Sequence, residues 1–462
     1  MCVEDAANIV AKVAMPLVGI RANDYYELRG RAKHADAVLI GEASHGTQEF
    51  YQLRADITKA LLENDDDLCA VLLEADFPPL WEINRYAGGT HADFLRDKSS
   101  IPTLDEVFAQ VGHRFPKWMW QNEVTRDFVK WLKEHNAQRA ARKVHPVMIL
   151  GLDIYSLFSS AKAVISYLRA LDPLAASFAK DRYAELEKFG PEAERYSNAY
   201  YEQLVESQAT NVSVTLSELL AKEPVYSIHP LDGDEFFSAS ENAHIVQSAE
   251  AYYRKSILGG SAVTWNLRDK SMYDTFAHTL DFLKRKRGKA AKAIVWAHNS
   301  HLGDARATEK HERQSGREIN IGQLIREHLG EEKTFIIGFS TDTGTVRAAT
   351  GWGRKGRKMD LVPSIQNSYG NVMHRVTQLT GFPAFGVSLT ECRKSSAVKG
   401  GASVDVGGDS VDARENADPA VAARIALTEP RLERFIANAD VSIFQYFLSA
   451  TEARDAGLFQ MG

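Results

Sequence analysis

Short apolar runs, each ending on a polar side chain, constrain this chain more than any other feature. They are Val38–Ile40, Cys69–Leu73 leading into Glu74, Val147–Leu150, Ala293–Trp296 and Phe335–Gly338, with residues 384–389 (AFGVSL) as a further candidate. All are of strand length, and turn signals bound them. The segments between them carry helical spacing. After Gly46, apolar residues recur at Phe50, Leu53, Ile57, Leu61 and Leu62, and between Asn122 and Asn136 they recur at Val124, Phe128, Trp131 and Leu132. Unbroken apolar strands alternating with amphipathic helices predict an α/β fold, a mostly parallel central sheet flanked by helices. From Ser156 to about Lys286 the strand signal disappears, and breaks at Asp172-Pro173, Gly190-Pro191, Pro224–Pro230 and Gly259-Gly260 divide an α-helical insertion of four long segments. The expected organisation is a discontinuous core (1–155 and 288–395), a helical insertion (156–287) and a C-terminal segment (396–462) in which Gly400–Gly408 reads as a flexible loop and Glu429–Ala437 as a helix. Residues 4–34 read as helical, and Asp76–Pro79 as a turn before a further helix.

In a parallel sheet all C-terminal strand ends lie on one edge, where ligands bind in open α/β folds. Here that edge collects Glu42 and His45, Glu74, Asp153, His298 and His301. Glu42 and His45 stand in a Gly-bounded turn, GEASHG, with the chemistry of a general base and its orienting carboxylate. Ser44 lacks the glycine two residues earlier that a nucleophile elbow requires. Glu74 ends a strand so apolar that an unpartnered carboxylate there would be costly. Arg54 can point back to the crevice from the following helix, and Arg268 with Asp269 opens another helix that either lines the site or pairs locally. The same His and Glu set also matches a zinc or iron ligand set, although no HExxH helix is present.

Composition narrows the partners. The formal charge of −6, with no basic stripe, argues against a nucleic-acid binder. No apolar run reaches the length of a membrane span, and the acidic N-terminus does not resemble a secretory signal, so a cytoplasmic protein is expected. Cys2, Cys69 and Cys392 form no CxxC, which argues against a disulfide framework or structural zinc.

The motifs GEASHGTQEF, the strand ending in Glu74, GLDIYS, WNLRD, WAHNSHLGD, NIGQLI (Asn320–Ile325) and PSIQNSY (Pro363–Tyr369) together resemble the erythromycin esterase family. The resemblance runs in order from about residue 15 to about 390, beyond which the chain departs from the family pattern. It implies an α/β fold with a helical insertion and hydrolysis of the lactone ring of 14-membered macrolides, a response to an antibiotic. It places the catalytic histidine at His45, supporting carboxylates at Glu42 and Glu74, the family's arginine at Arg54 and its histidine pair at His298 and His301. The expected function is therefore a carboxylic ester or lactone hydrolase in which His45 activates water, with Arg54 and Arg268 binding substrate and no cofactor. A metal-dependent hydrolase acting on another substrate, and a non-catalytic scaffold, are the alternatives. Aromatic residues at Phe94, Phe108, Phe115, Trp118 and Trp120, with Tyr196, Tyr200, Tyr201, Tyr252 and Tyr253, are candidates for the wall of an apolar cleft.

Overall fold

The computed structural model describes residues 2–17, 26–90, 103–111, 115, 117–228, 233–308, 318–349, 355–388 and 441–445. Its strands are β1 (Met15–Pro16), β2 (Ala37–Ile40), β3 (Leu68–Asp76), β4 (Met148–Asp153), β5 (Lys292–Trp296), β6 (Thr334–Ser340), β7 (Thr345–Ala348), β8 (Arg357–Asp360), β9 (Ala384–Ser388) and β10 (Val441–Gln445). β7 and β8 pair as a separate antiparallel ribbon. The others form one sheet in the order β1-β9-β10-β6-β2-β5-β3-β4. From β10 to β4 every pairing is parallel, and β9 runs antiparallel to both its neighbours.

Alternate residues of the central strands enter different cores. Ile40, Val71, Leu73, Ile149, Ile294 and Ile337 meet Phe50 and Ile57 of helix Gln48–Leu62 and Phe128 and Leu132 of helix Glu123–Ala141. Leu39, Ala70, Leu72, Leu150, Val295 and Ile336 face Phe237, Met272, Phe276 and Ile321 on the other side. Both faces are covered, so these strands carry apolar residues at every position instead of alternating. Each large side chain buried this way contributes about 1.5–3 kcal/mol.

The connections out of β2 and β5 fix where a ligand can sit. These strands are adjacent and in register at Ile40 and Trp296. The chain leaving β2 passes to β3 on one side, and the chain leaving β5 passes to β6 on the other. Neighbouring parallel strands whose successors diverge leave a crevice beyond their C-terminal ends. The turns carrying Glu42 and His45, and His298 and His301, flank that crevice.

Several local expectations change. Among its described residues the insertion holds seven helices between Leu157 and Arg287, not four long ones, because polar breaks also fall at Glu202–Gln208 and before Glu223. Its last two helices, Asp234–Lys255 and Gly260–Arg287, lie against the sheet. Phe237, Met272 and Phe276 pack them onto its face. β3 continues to Asp76 and helix Phe77–Tyr86 follows at once, with its prolines in the first turn, where a missing N–H is harmless. Residues 4–34 are broken by β1, which pairs with β9. Gly400–Gly408 and Glu429–Ala437 lie outside the described residues. β10, from the segment after 396, sits between β6 and β9 within the sheet. No described helix is long and apolar enough to cross a membrane.

Candidate active site

Glu42 lies two residues beyond β2, with no side-chain exposure. Its Oε1 is 2.7 Å from Nδ1 of His45, and its Oε2 is 3.4 Å from Nη2 of Arg54. A carboxylate only accepts, so Nδ1 of His45 carries the proton and Nε2 presents its lone pair. That nitrogen has no hydrogen-bond partner among the described residues, and the His45 side chain is 26% exposed. Burial alone would lower the His45 pKa, but the adjoining Glu42 carboxylate outweighs it and raises it above the ordinary histidine value. Gly46 makes the turn possible. Its φ is 81°, and a Cβ there would strike the Arg347 carbonyl oxygen and the Trp118 ring.

A second network lies behind the first. Arg268 donates from Nε to Asp153 Oδ1 at 3.0 Å, and from Nη2 to Asp153 Oδ2 at 2.6 Å and Glu74 Oε1 at 2.7 Å. The other oxygen of Glu74 accepts the backbone N–H of His298 at 2.8 Å. His301 has both ring nitrogens engaged, Nδ1 with Asp269 at 2.9 Å and Nε2 beside Arg268 Nη1 at 3.0 Å, and its ring stacks on Trp265 at 4.6 Å. Burial would raise the Glu74 carboxyl, but His301 and Arg268 beside it hold it well below the usual range.

His298 is the N-cap of the short helix Asn299–Leu302. Its Nδ1 accepts the Ser300 N–H at 3.2 Å, and Nε2 donates to the Ala43 carbonyl at 3.1 Å. Those roles require a neutral ring, and burial with the nearby His45 pulls its pKa down to about 4. The rings of His45 and His298 are 5.2 Å apart.

Residues from four strand ends therefore converge, with one correction. Arg54 does not line the crevice. It is fully buried against Glu42, within 4.7–5.5 Å of the Tyr51, Trp120 and Trp296 rings. Its helix turns it into the core between Phe50 and Ile57, so it touches the carboxylate from beneath. The Ser44 hydroxyl bonds to Thr47 Oγ1 at 2.6 Å and to no base among the described residues. His298 and His301 have both ring nitrogens engaged with protein groups, whereas His45 has only Nδ1 engaged. Of the aromatic candidates, Phe108, Phe115, Trp120 and Tyr196 are buried in cores, and Phe94 lies outside the described residues. A cleft of about 840 Å³ is lined by Asp76, Trp81, Arg85, Tyr167, Tyr253 and Tyr155, whose ring lies 5.2 Å from the Arg268 guanidinium.

The erythromycin esterase family profile matches residues 65–453, most of the chain. The chain belongs to the erythromycin esterase family. This marks it as a hydrolase of that family, and the match continues past residue 390, where the sequence reading ended the resemblance. Solved structures share the fold across nearly their whole length. A Bacillus cereus protein matches with a TM-score of 0.69 at 18% identity, covering 96% of this chain and 98% of its own. A succinoglycan biosynthesis protein matches with a TM-score of 0.68 at 16% identity, covering 96% of both chains. A mutant of the erythromycin esterase EreC in its open conformation matches with a TM-score of 0.60 at 16% identity, covering 92% of this chain and 93% of that one.

Within this candidate site, some supporting residues escaped the sequence reading. Asn299 donates to the Phe339 carbonyl at 2.7 Å and ties the turn after β5 to β6. Trp120 donates to the Glu74 carbonyl at 3.0 Å. Asp269, left undecided between lining the site and pairing locally, proves to hold His301. Their only signal was membership in WAHNSH and WNLRD or in an aromatic stretch.

Proposed function

We propose that the protein hydrolyses a carboxylic ester or lactone of the macrolide type, with His45 as the general base. The observation that carries the reading is the His45 ring, held at Nδ1 by a buried Glu42 and open at Nε2. Nε2 takes a proton from water, and the resulting hydroxide attacks the ester carbonyl. The tetrahedral intermediate collapses, and His45 returns the proton to the departing alkoxide. Glu42 stays ionised, fixes the tautomer and stabilises the imidazolium. Arg268, held by Asp153 and Glu74, supports the site from behind the His45–Glu42 pair. Arg54 acts through Glu42 and is a positioning residue.

The test is hydrolysis of a 14-membered macrolide lactone in ¹⁸O-labelled water, followed by mass spectrometry. One labelled oxygen in the product carboxylate is expected, with the rate unchanged after chelator treatment. An unchanged macrolide together with an inert panel of simpler esters would overturn the proposal.

The pH profile provides a separate check. His45 must be neutral to act, so the rate falls as pH drops through its raised pKa, and the acid limb has its midpoint above 6.5. Glu42→Gln removes the carboxylate that raises that pKa while the ring stays as buried as before. The acid limb then moves to lower pH, alongside a lower maximal rate. An unmoved limb would assign the titration to another group. Stability follows the opposite course. The His45–Glu42 pairing stabilises the fold fully below the unfolded histidine pKa and loses that contribution as pH rises through the folded one.

A further inference from the structure

Helices Asp234–Lys255 and Gly260–Arg287 are the two longest in the described chain, and they pack side by side. Phe237 and Phe282 stack between them with ring centroids 4.4 Å apart. Beside that contact, Glu241 and His244 stand three residues apart on the first helix and so share one face. His278 meets them from the second helix. Its Nδ1 is 2.9 Å from Glu241 Oε1, and its ring centroid is 4.5 Å from that of His244. One ligand atom from each residue lies within 4.8 Å of the others, and among the described residues no other group of three does this.

Glu241 distinguishes this cluster from a solvated ion pair. Its side chain is only 2% exposed, and its Oε2 has no hydrogen-bond partner among the described residues. A buried carboxylate oxygen without a donor is costly, and a cation between the three side chains would satisfy it. The charge nearby favours this. Asp274 and Asp281 lie one turn to either side of His278 on the same helix, while Lys286 is paired with Asp234 and Arg285 with Glu223. Lys284 and Lys289 line the same cavity as the three side chains, and Lys289 pairs with Asp67.

We propose that Glu241, His244 and His278 form a Zn²⁺ site that clasps these two helices. Two imidazoles and a carboxylate are a zinc ligand set, and a Glu-x-x-His pair on one helix is a spacing that metal-binding helix bundles use. Zinc–ligand bonds of about 2.0–2.1 Å put ligand atoms about 3.4 Å apart in a tetrahedron, which modest side-chain rotations reach from here. The cluster lines an open cleft of about 1050 Å³, so the fourth position falls to water. The site is separate from the catalytic crevice. His278 is ten residues beyond Arg268 on one helix, about 15 Å along its axis toward the opposite edge of the sheet.

The test uses the full chain, stripped with chelator and desalted, and titrated with ZnCl₂ by calorimetry. One Zn²⁺ per chain is expected, together with a higher melting temperature, and Co²⁺ in its place gives visible d–d absorption. His244→Asn removes a ligand without stranding a charge and lowers affinity by at least about tenfold. His278→Gln does the same, and either variant alone suffices if the other fails to fold. His45→Ala keeps the uptake. The proposal is overturned if wild type binds no stoichiometric zinc, if His244→Asn binds it as tightly, or if uptake is lost in His45→Ala.

Discussion

His45→Ala lowers kcat/KM for the hydrolysed ester by about 10²–10⁴-fold, the range that a positioned general base supplies. The loss falls on kcat, because a group that moves a proton in the transition state contributes little to ground-state binding. The acid limb of the pH profile disappears with the ring. The fold is retained, because His45 is the partly exposed member of its pair and the space it leaves opens to water, which can hydrogen-bond Glu42 Oε1. Glu42 keeps Arg54 against its other oxygen. Measured kcat, KM and melting temperature separate the cases. Wild-type turnover by a folded His45→Ala protein would remove His45 from the chemistry, and a collapsed fold would make its role structural.

Arg268→Met has the largest expected effect on stability, a loss of about 3–5 kcal/mol. The side chains of Asp153 and Glu74 have 0% and 3% exposure, and one guanidinium serves both. Its aliphatic replacement fills similar volume but leaves two buried carboxylates without their cation. The deficit depends on pH in a defined direction. Glu74 has a depressed pKa in the native fold, so its contribution is present above the unfolded carboxyl value and is lost as pH falls. In the variant Glu74 can take up a proton, and the gap to wild type narrows below about pH 4.5. Urea midpoints at neutral and acid pH measure both effects. An equal midpoint for the two proteins at neutral pH would show that the network contributes nothing net.

The legible parts of this protein are those whose physics is local. β2 to β6 stand out because strands covered on both faces carry apolar residues continuously, and the helices between them repeat at helical spacing. Glu42, His45 and His298 follow strand ends and Glu74 stands near the end of β3, so their placement on one edge needs only the parallel arrangement. Arg54 was harder. A charged residue in an amphipathic helix reads as exposed, and only the packing of Tyr51, Trp120 and Trp296 around it turns it inward. β10 was missed although Val441, Ile443 and Phe444 are strand-like, because a long polar, glycine-rich stretch separates it from the other core strands and only its pairing with β6 and β9 places it in the sheet.

The sequence by itself determined the α/β class, the family and the strand-end residues, because apolar period and motif are written along the chain. Only the tertiary structure decided which partner each polar group has. That Glu42 serves both His45 and Arg54, that Arg268 joins Glu74 to Asp153, and that His278 reaches Glu241 are all contacts between distant segments. A buried charge must find a counter-charge, but many in the sequence have the right sign, and the packed core selects the one within reach.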